Sequence, residues 1–197
     1  MAKIKVAITG GIGSGKSTAL SYLKELGYPV FSCDEIYKEV ISSKEYIDKI
    51  KEFFPEAVTH GCIERKILSD VVFNNPEKRA LLNGISHPLI MQKLYEQMDT
   101  SENELVFAEV PLLFECGFEN EFDHVIVILR KEENRIQSVQ ERDGISEEKI
   151  KQRMQSQFDY FSKEGEKRLK NCNAFVIEND GSINGLQKKL NEILNVL

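Results

Sequence analysis

Thr9-Gly10-Gly11-Ile12-Gly13-Ser14-Gly15-Lys16-Ser17-Thr18 decides the fold class of this chain. The stretch fits G-x-x-x-x-G-K-[ST], with Gly10, Gly15, Lys16 and Ser17 at the fixed positions, the pattern of a loop that cradles the phosphates of a nucleoside triphosphate. Successive backbone N–H groups must converge on phosphate oxygens, so glycine is needed where a Cβ would clash or where φ must be positive. Lys16 then reaches the β/γ-phosphates, the Ser17 hydroxyl is placed to ligate Mg²⁺, and the helix that follows points its positive end at the anion. Residues 10–18 are therefore the expected nucleotide-binding set.

The flanks agree. Lys3-Ile4-Lys5-Val6-Ala7-Ile8 is a β-rich run ending at the loop, and Ser17 to Leu26 reads as a helix that Gly27 stops. A plain βα turn needs neither four glycines nor a lysine at that one place.

Further along, Tyr28 to Ser32 reads as a second buried strand, after which Asp34 begins a helix. A helical tract from about Glu35 to Asn103 is broken at Pro55, around His60-Gly61 and at Asn74-Asn75-Pro76. Asparagine as N-cap before Pro76 is a good helix start, and His87-Pro88 marks another. Leu105 to Ala108 is a third strand, running into Glu109 and then Val110-Pro111-Leu112-Leu113-Phe114-Glu115, where Leu112 and Leu113 read as packing. His124 to Leu129 is a fourth, suited to burial on both faces. Lys131 to Lys170 is charged and helical, divided at Asp143-Gly144. Ala174 to Ile177 is a fifth strand, ended by Asn179-Asp180-Gly181, and the last helix aligns Ile183, Leu186, Leu190, Ile193, Leu194 and Leu197.

Five apolar strands separated by helices imply an α/β fold, a five-stranded parallel sheet with helices on both faces, and a binding crevice at the carboxyl ends of the strands. The expected organisation is one domain over 1–197. Its core is about 1–35, 104–130 and 171–197, with a helical substrate-binding insertion about 36–103 and a lid about 131–170. A composition of 41% hydrophobic and 29% charged residues is that of an ordinary globular protein. A formal charge of −6 argues against a nucleic-acid surface. No targeting segment or membrane-spanning run is visible, so a cytoplasmic protein without a membrane partner, monomeric or weakly homo-oligomeric, is expected. Cys33, Cys62, Cys116 and Cys172 form no C-x-x-C pair and read as free thiols; His60, His87 and His124 form no metal-ligand pattern.

A phosphate loop is common to kinases, GTPases and motor ATPases. The guanine-reading N-K-x-D and the switch D-x-x-G are absent, and the chain is short for a motor, which favours a metabolite kinase. At this point the sequence resembles one family closely. The loop, an acid after the second strand at Asp34, Gly61-x-x-x-Arg65, Ile85-Ser86-His87-Pro88-Leu89-Ile90 and Val110-Pro111-Leu112-Leu113-Phe114-Glu115 stand in the order seen in dephospho-CoA kinases. Arg142-Asp143-Gly144, Arg153-x-x-x-Gln157 and Ile177-Glu178-Asn179-Asp180-Gly181 continue the match. The resemblance implies ATP- and Mg²⁺-dependent phosphorylation of the 3′-hydroxyl of dephospho-CoA. Alternatives are another P-loop nucleoside or nucleotide kinase, or a nucleotide-sensing protein without turnover.

By position alone Asp34 is equally a helix N-cap or a carboxylate facing the γ-phosphate; the resemblance makes it the catalytic base, beside Lys16. Glu109, at a strand end, resembles a Walker-B acid holding Mg²⁺ through water, with Ser17 as the other metal ligand. Arg142 and Arg153 alone read as solvated helix faces, but in a lid a guanidinium stabilises the transferring phosphoryl. Arg153 and Gln157, four apart, share a helix face. The resemblance puts His87 and Arg65 at the acceptor site with Arg153 and Gln157, and Asn179 suits adenine contact. Three departures stand out. Ser32-Cys33-Asp34 keeps only the second acid of the usual Asp-Ala-Asp, Ser138 stands where a second lid arginine is common, and Glu109 stands where aspartate is more usual. Arg135, two turns upstream of Arg142, is the candidate to replace the arginine missing at Ser138.

Overall fold

The computed structural model describes residues 3–73 and 75–197; Asn74, the first residue of the expected Asn74-Asn75-Pro76 break, lies outside them. Strands in chain order are β1 (Ile4–Thr9), β2 (Val30–Ser32), the two-residue β3 (Val58–Thr59) and β4 (Cys62–Ile63), β5 (Leu105–Glu109), β6 (His124–Leu129) and β7 (Phe175–Glu178). Five of them form one sheet in the order β2-β5-β1-β6-β7, with β1 parallel to β5 and β6, and β6 parallel to β7. The expected α/β fold is the observed one. Each expected sheet strand is present, displaced by no more than two residues at an end.

Packing divides the chain into two compact units, Met1–Phe31 with Ser101–Leu197, and Ser32–Thr100. In the first unit, α1 (Lys16–Glu25) and α9 (Ile183–Leu194) bury one sheet face: Leu20 and Leu23 meet Ile8, Phe107, Ile126 and Ile177, with Leu186, Leu190 and Ile193. Val106, Ala108, Val125 and Val127 point the other way and are also fully buried, so the sheet is covered on both sides. Ile183 does not join its expected face; it is the exposed first residue of α9. Leu113 packs, whereas Leu112 is 45% exposed, because the chain turns after β5 and sends the two side chains apart.

The segment after β6 is three helices, α6 (Glu132–Asp143), α7 (Glu147–Gln155) and α8 (Lys163–Asn171), and the expected division is the left-handed Gly144 that ends α6. Helix α8 is tied down by Arg168, whose Nε donates to buried Glu119 at 2.6 Å while Nη2 donates to the Phe114 carbonyl at 2.6 Å. The same guanidinium lies 4.9 Å from the Phe158 ring centroid and 5.3 Å from that of Phe114.

The second unit holds α2 (Cys33–Val40), α3 (Lys44–Phe53), the β3–β4 hairpin, α4 (Arg65–Phe73) and α5 (Pro76–Thr100). It departs from the expected tract in three places. His60-Gly61, both at positive φ, turn a two-residue hairpin rather than separate two helices. Helix α2 starts at Cys33 with Ser32 at the cap, so Asp34 is an exposed first-turn residue and not the N-cap. Helix α5 runs for 25 residues through His87-Pro88 instead of starting there. Pro88 removes the hydrogen bond to Gly84, but Gly84 is exposed and water can serve its carbonyl. Burial of Ile85, Met91, Leu94 and Met98 holds the helix together. The Tyr46 hydroxyl donates to Ser86 Oγ at 2.9 Å, which donates to the Leu82 carbonyl at 2.8 Å. Asn75 does cap α5, accepting from the Lys78 N–H at 3.0 Å.

Arg168→Ala would leave the Glu119 carboxylate, 6% exposed, without its cation. A loss of about 3 kcal/mol or more in urea unfolding is expected, with a smaller loss for the Glu119→Gln/Arg168→Met pair.

Candidate active site

The first unit carries a concave site built around the loop between β1 and α1. Gly15 takes a left-handed φ of 102° as the cap of α1, and a Cβ there would collide with the Asn179 Nδ2; at Gly10 a Cβ would strike the Ile128 carbonyl. No acidic residue sits in the first turn of α1, and no side chain caps it, so its N–H groups remain for an anion. Ser14 is buried with no partner for its hydroxyl among the described residues, and Ser17 is exposed.

Side chains meet the loop carbonyls one after another. Lys16 Nζ donates to Gly10 at 2.7 Å and Gly11 at 3.1 Å. Arg135 Nε donates to Ile12 at 2.9 Å, Arg130 Nη1 to Gly13 at 3.4 Å and Asn179 Nδ2 to Ser14 at 2.8 Å. Loop N–H groups are taken as well: Ser14 donates to the Gly11 carbonyl at 3.2 Å and Ile12 to Gln157 Oε1 at 2.9 Å, and Arg135 Nη2 donates to the same Gln157 oxygen at 3.2 Å. Burial pushes the Lys16 pKa down, Glu109 opposes this, and Arg135 and Arg142 add to it, so the acid at the end of β5 and both arginines act on the loop lysine.

Beside the loop lies a cavity of about 820 Å³ whose walls include Gly11, Ser14, Leu129, Arg130, Arg135, Met154, Phe158 and Phe161. Tyr160, also in its wall, has its phenol pushed up to about 12 by burial, against the opposing effect of the Thr9 hydroxyl. Asp180 fixes the base of α6, its Oδ1 accepting from the Lys131 N–H at 2.8 Å and Asn134 at 3.2 Å.

Several expected site residues thus stand together: the loop, Lys16, Glu109, Gln157 and Asn179. Gln157 does not share a helix face with Arg153, because α7 ends at Gln155 and the chain turns Gln157 inward, leaving Arg153 exposed. Asn179 bonds the loop through its side chain. Arg142 is exposed and engages its neighbour Asp143 with two bonds of 2.7 and 2.9 Å. Ser138 receives Arg130 Nη1 at 2.6 Å. Arg130 was not singled out from sequence, and Asp180 and Glu115, which accepts from the Phe158 N–H at 2.8 Å, stood there only inside longer motifs with no contact assigned. Arg130 had a usable signal, being the first residue past a buried parallel strand. In the second unit, Asp34 is exposed two residues past β2, Arg65 is the exposed first residue of α4, and His87 is half-buried in α5. Burial pushes the His87 pKa down.

A parallel sheet whose central strand runs into a glycine-rich loop, met by lysine and arginine, defines a P-loop nucleotide-binding protein. Comparison with known proteins narrows the class. Residues 4–185 match the family profile described as dephospho-CoA kinase. A Thermus thermophilus dephospho-CoA kinase is 37% identical over 97% of this chain and 90% of its own length, and one from Fusobacterium nucleatum is 34% identical over 94% of each. A crystal structure from Thermus thermophilus superposes with a TM-score of 0.82 at 35% identity, covering 100% and 99% of the two chains. The Campylobacter jejuni dephospho-CoA kinase gives 0.67 at 32%, covering 97% and 95%. This chain belongs to the dephospho-CoA kinase family. Among the described residues no helix is long and apolar enough to cross a membrane.

Because His87 is favoured neutral in the fold, its contribution to stability is complete above 6.5 and is lost as pH falls from there through its lower folded value. The melting temperature should fall between pH 7.5 and 5.5, and fall less in His87→Gln; equal drops would remove His87 from that dependence.

Proposed function

We propose that this chain transfers the γ-phosphoryl group of ATP to the 3′-hydroxyl of dephospho-CoA, releasing ADP and coenzyme A. The observation that carries this reading is the family match over residues 4–185, joined to a loop whose carbonyls are held by side chains and whose helix starts with no side-chain cap and no acid in its first turn. The acceptor oxygen bonds to the γ-phosphorus as the bond to the β–γ bridging oxygen breaks, and the hydroxyl proton passes to Asp34. The loop N–H groups and Lys16 bind the β- and γ-phosphates. Arg142 exchanges Asp143 for the transferring group as the α6–α8 segment closes as a lid, and Arg153 joins the acceptor side. Arg65 and His87 bind dephospho-CoA, and Gln157 and Asn179 hold the loop that both substrates use.

Ser17, exposed at the head of α1, and Glu109, close enough to act on Lys16, fit a magnesium ion that would supply charge neutralisation at the β- and γ-oxygens. Magnesium needs few protein ligands when phosphates supply the rest, consistent with the absence of any three-ligand cluster among the described residues.

ADP release in a coupled assay should depend on dephospho-CoA, and no stimulation by that acceptor would end the proposal. Asp34→Asn should lower kcat by about two orders of magnitude or more with ATP binding intact. A near-normal kcat in a folded variant would remove Asp34 from proton transfer.

A further inference from the structure

Only one of the cations on the phosphate loop belongs to the motif. Arg135 comes from α6, yet its guanidinium lies against Gly11: a Cβ there would collide with Nη2 and Cζ. Nε is committed to the Ile12 carbonyl at 2.9 Å and Nη2 to Gln157 at 3.2 Å, which leaves N–H donors of the five in a guanidinium for a ligand. Arg135 also lines the 820 Å³ cavity together with Gly11 and Ser14.

Two positive charges, Lys16 and Arg135, therefore hang on three consecutive loop carbonyls, Gly10 to Ile12, and repel one another. A purely structural clamp on the Ile12 carbonyl needs a donor but no charge, and an amide would serve without repelling Lys16. A second fixed charge is useful where the ligand is a polyanion. We propose that Arg135 is a nucleotide-binding residue whose guanidinium takes the oxygens of the terminal phosphate of the triphosphate. The assignment rests on the phosphotransferase reading for the identity of the ligand, and it gives a role to an arginine outside the loop motif.

The test is nucleotide binding by the full chain, by calorimetry with ATP, ADP and AMP, for wild type, Arg135→Gln and Arg135→Lys. Glutamine keeps a donor for the Ile12 carbonyl and removes the charge. Arg135→Gln should lose about tenfold or more in ATP affinity, the scale of a hydrogen bond to a charged group, with ADP and AMP affinities changed by less than about threefold; Arg135→Lys should recover part of the loss. Equal loss for ATP and ADP, or no loss at all, would make Arg135 a loop clamp and overturn the proposal. Acceptor dependence is read separately in the wild type, so absence of dephospho-CoA-stimulated ADP release would count against the kinase reading while leaving the ATP-over-ADP result standing.

Discussion

A backbone loop can grip a polyanion only by turning its N–H groups inward, and that geometry sends its carbonyls outward, where each must find a donor or lose stability. Side chains from several elements of this unit answer that constraint. Lys16 meets the carbonyls of Gly10 and Gly11, Arg135 that of Ile12, Arg130 that of Gly13 and Asn179 that of Ser14. These donors come from the motif lysine, the end of β6, helix α6 and the end of β7. The loop conformation is thus a property of the assembled sheet edge, not of nine residues alone.

The same donors link the loop to the α6–α8 segment. Asn179 and Asp180 are adjacent, one bonding the loop and the other the base of α6. Gln157 reaches the Ile12 N–H from the turn after α7, and the next residue, Phe158, donates its N–H to Glu115 while its ring packs 4.9 Å from Phe114. Arg168 then fixes Phe114 and Glu119 from α8. The Val110–Glu115 stretch that looked like a family signature therefore has a mechanical reading: it anchors the turn that presents Gln157 to the loop.

How much of this could be read from the chain depended on range. The His124–Leu129 strand was legible to the residue, because an apolar run buried on both faces has few other solutions. His87-Pro88 misled, because a proline's local preference to begin a helix was outweighed by the buried side chains around it in α5. The hairpin at His60-Gly61 was read as a break but not as a turn, its strands being only two residues each. Gln157 was paired with Arg153 on a four-residue spacing, which means a shared face only while the helix continues, and α7 stops at Gln155.

By itself the sequence determined the fold class, the phosphate loop with Lys16 and Ser17, and the family, since glycine, lysine and hydroxyl spacing within ten residues is set by local covalent geometry around a phosphate. Only the tertiary structure decided which side chains hold that loop. Arg130, Arg135, Gln157 and Asn179 lie 117 to 165 residues from their loop partners. Nothing in local propensity specifies contacts at that range; the strand order β5-β1-β6-β7, set by burial of both sheet faces, brings them to one edge.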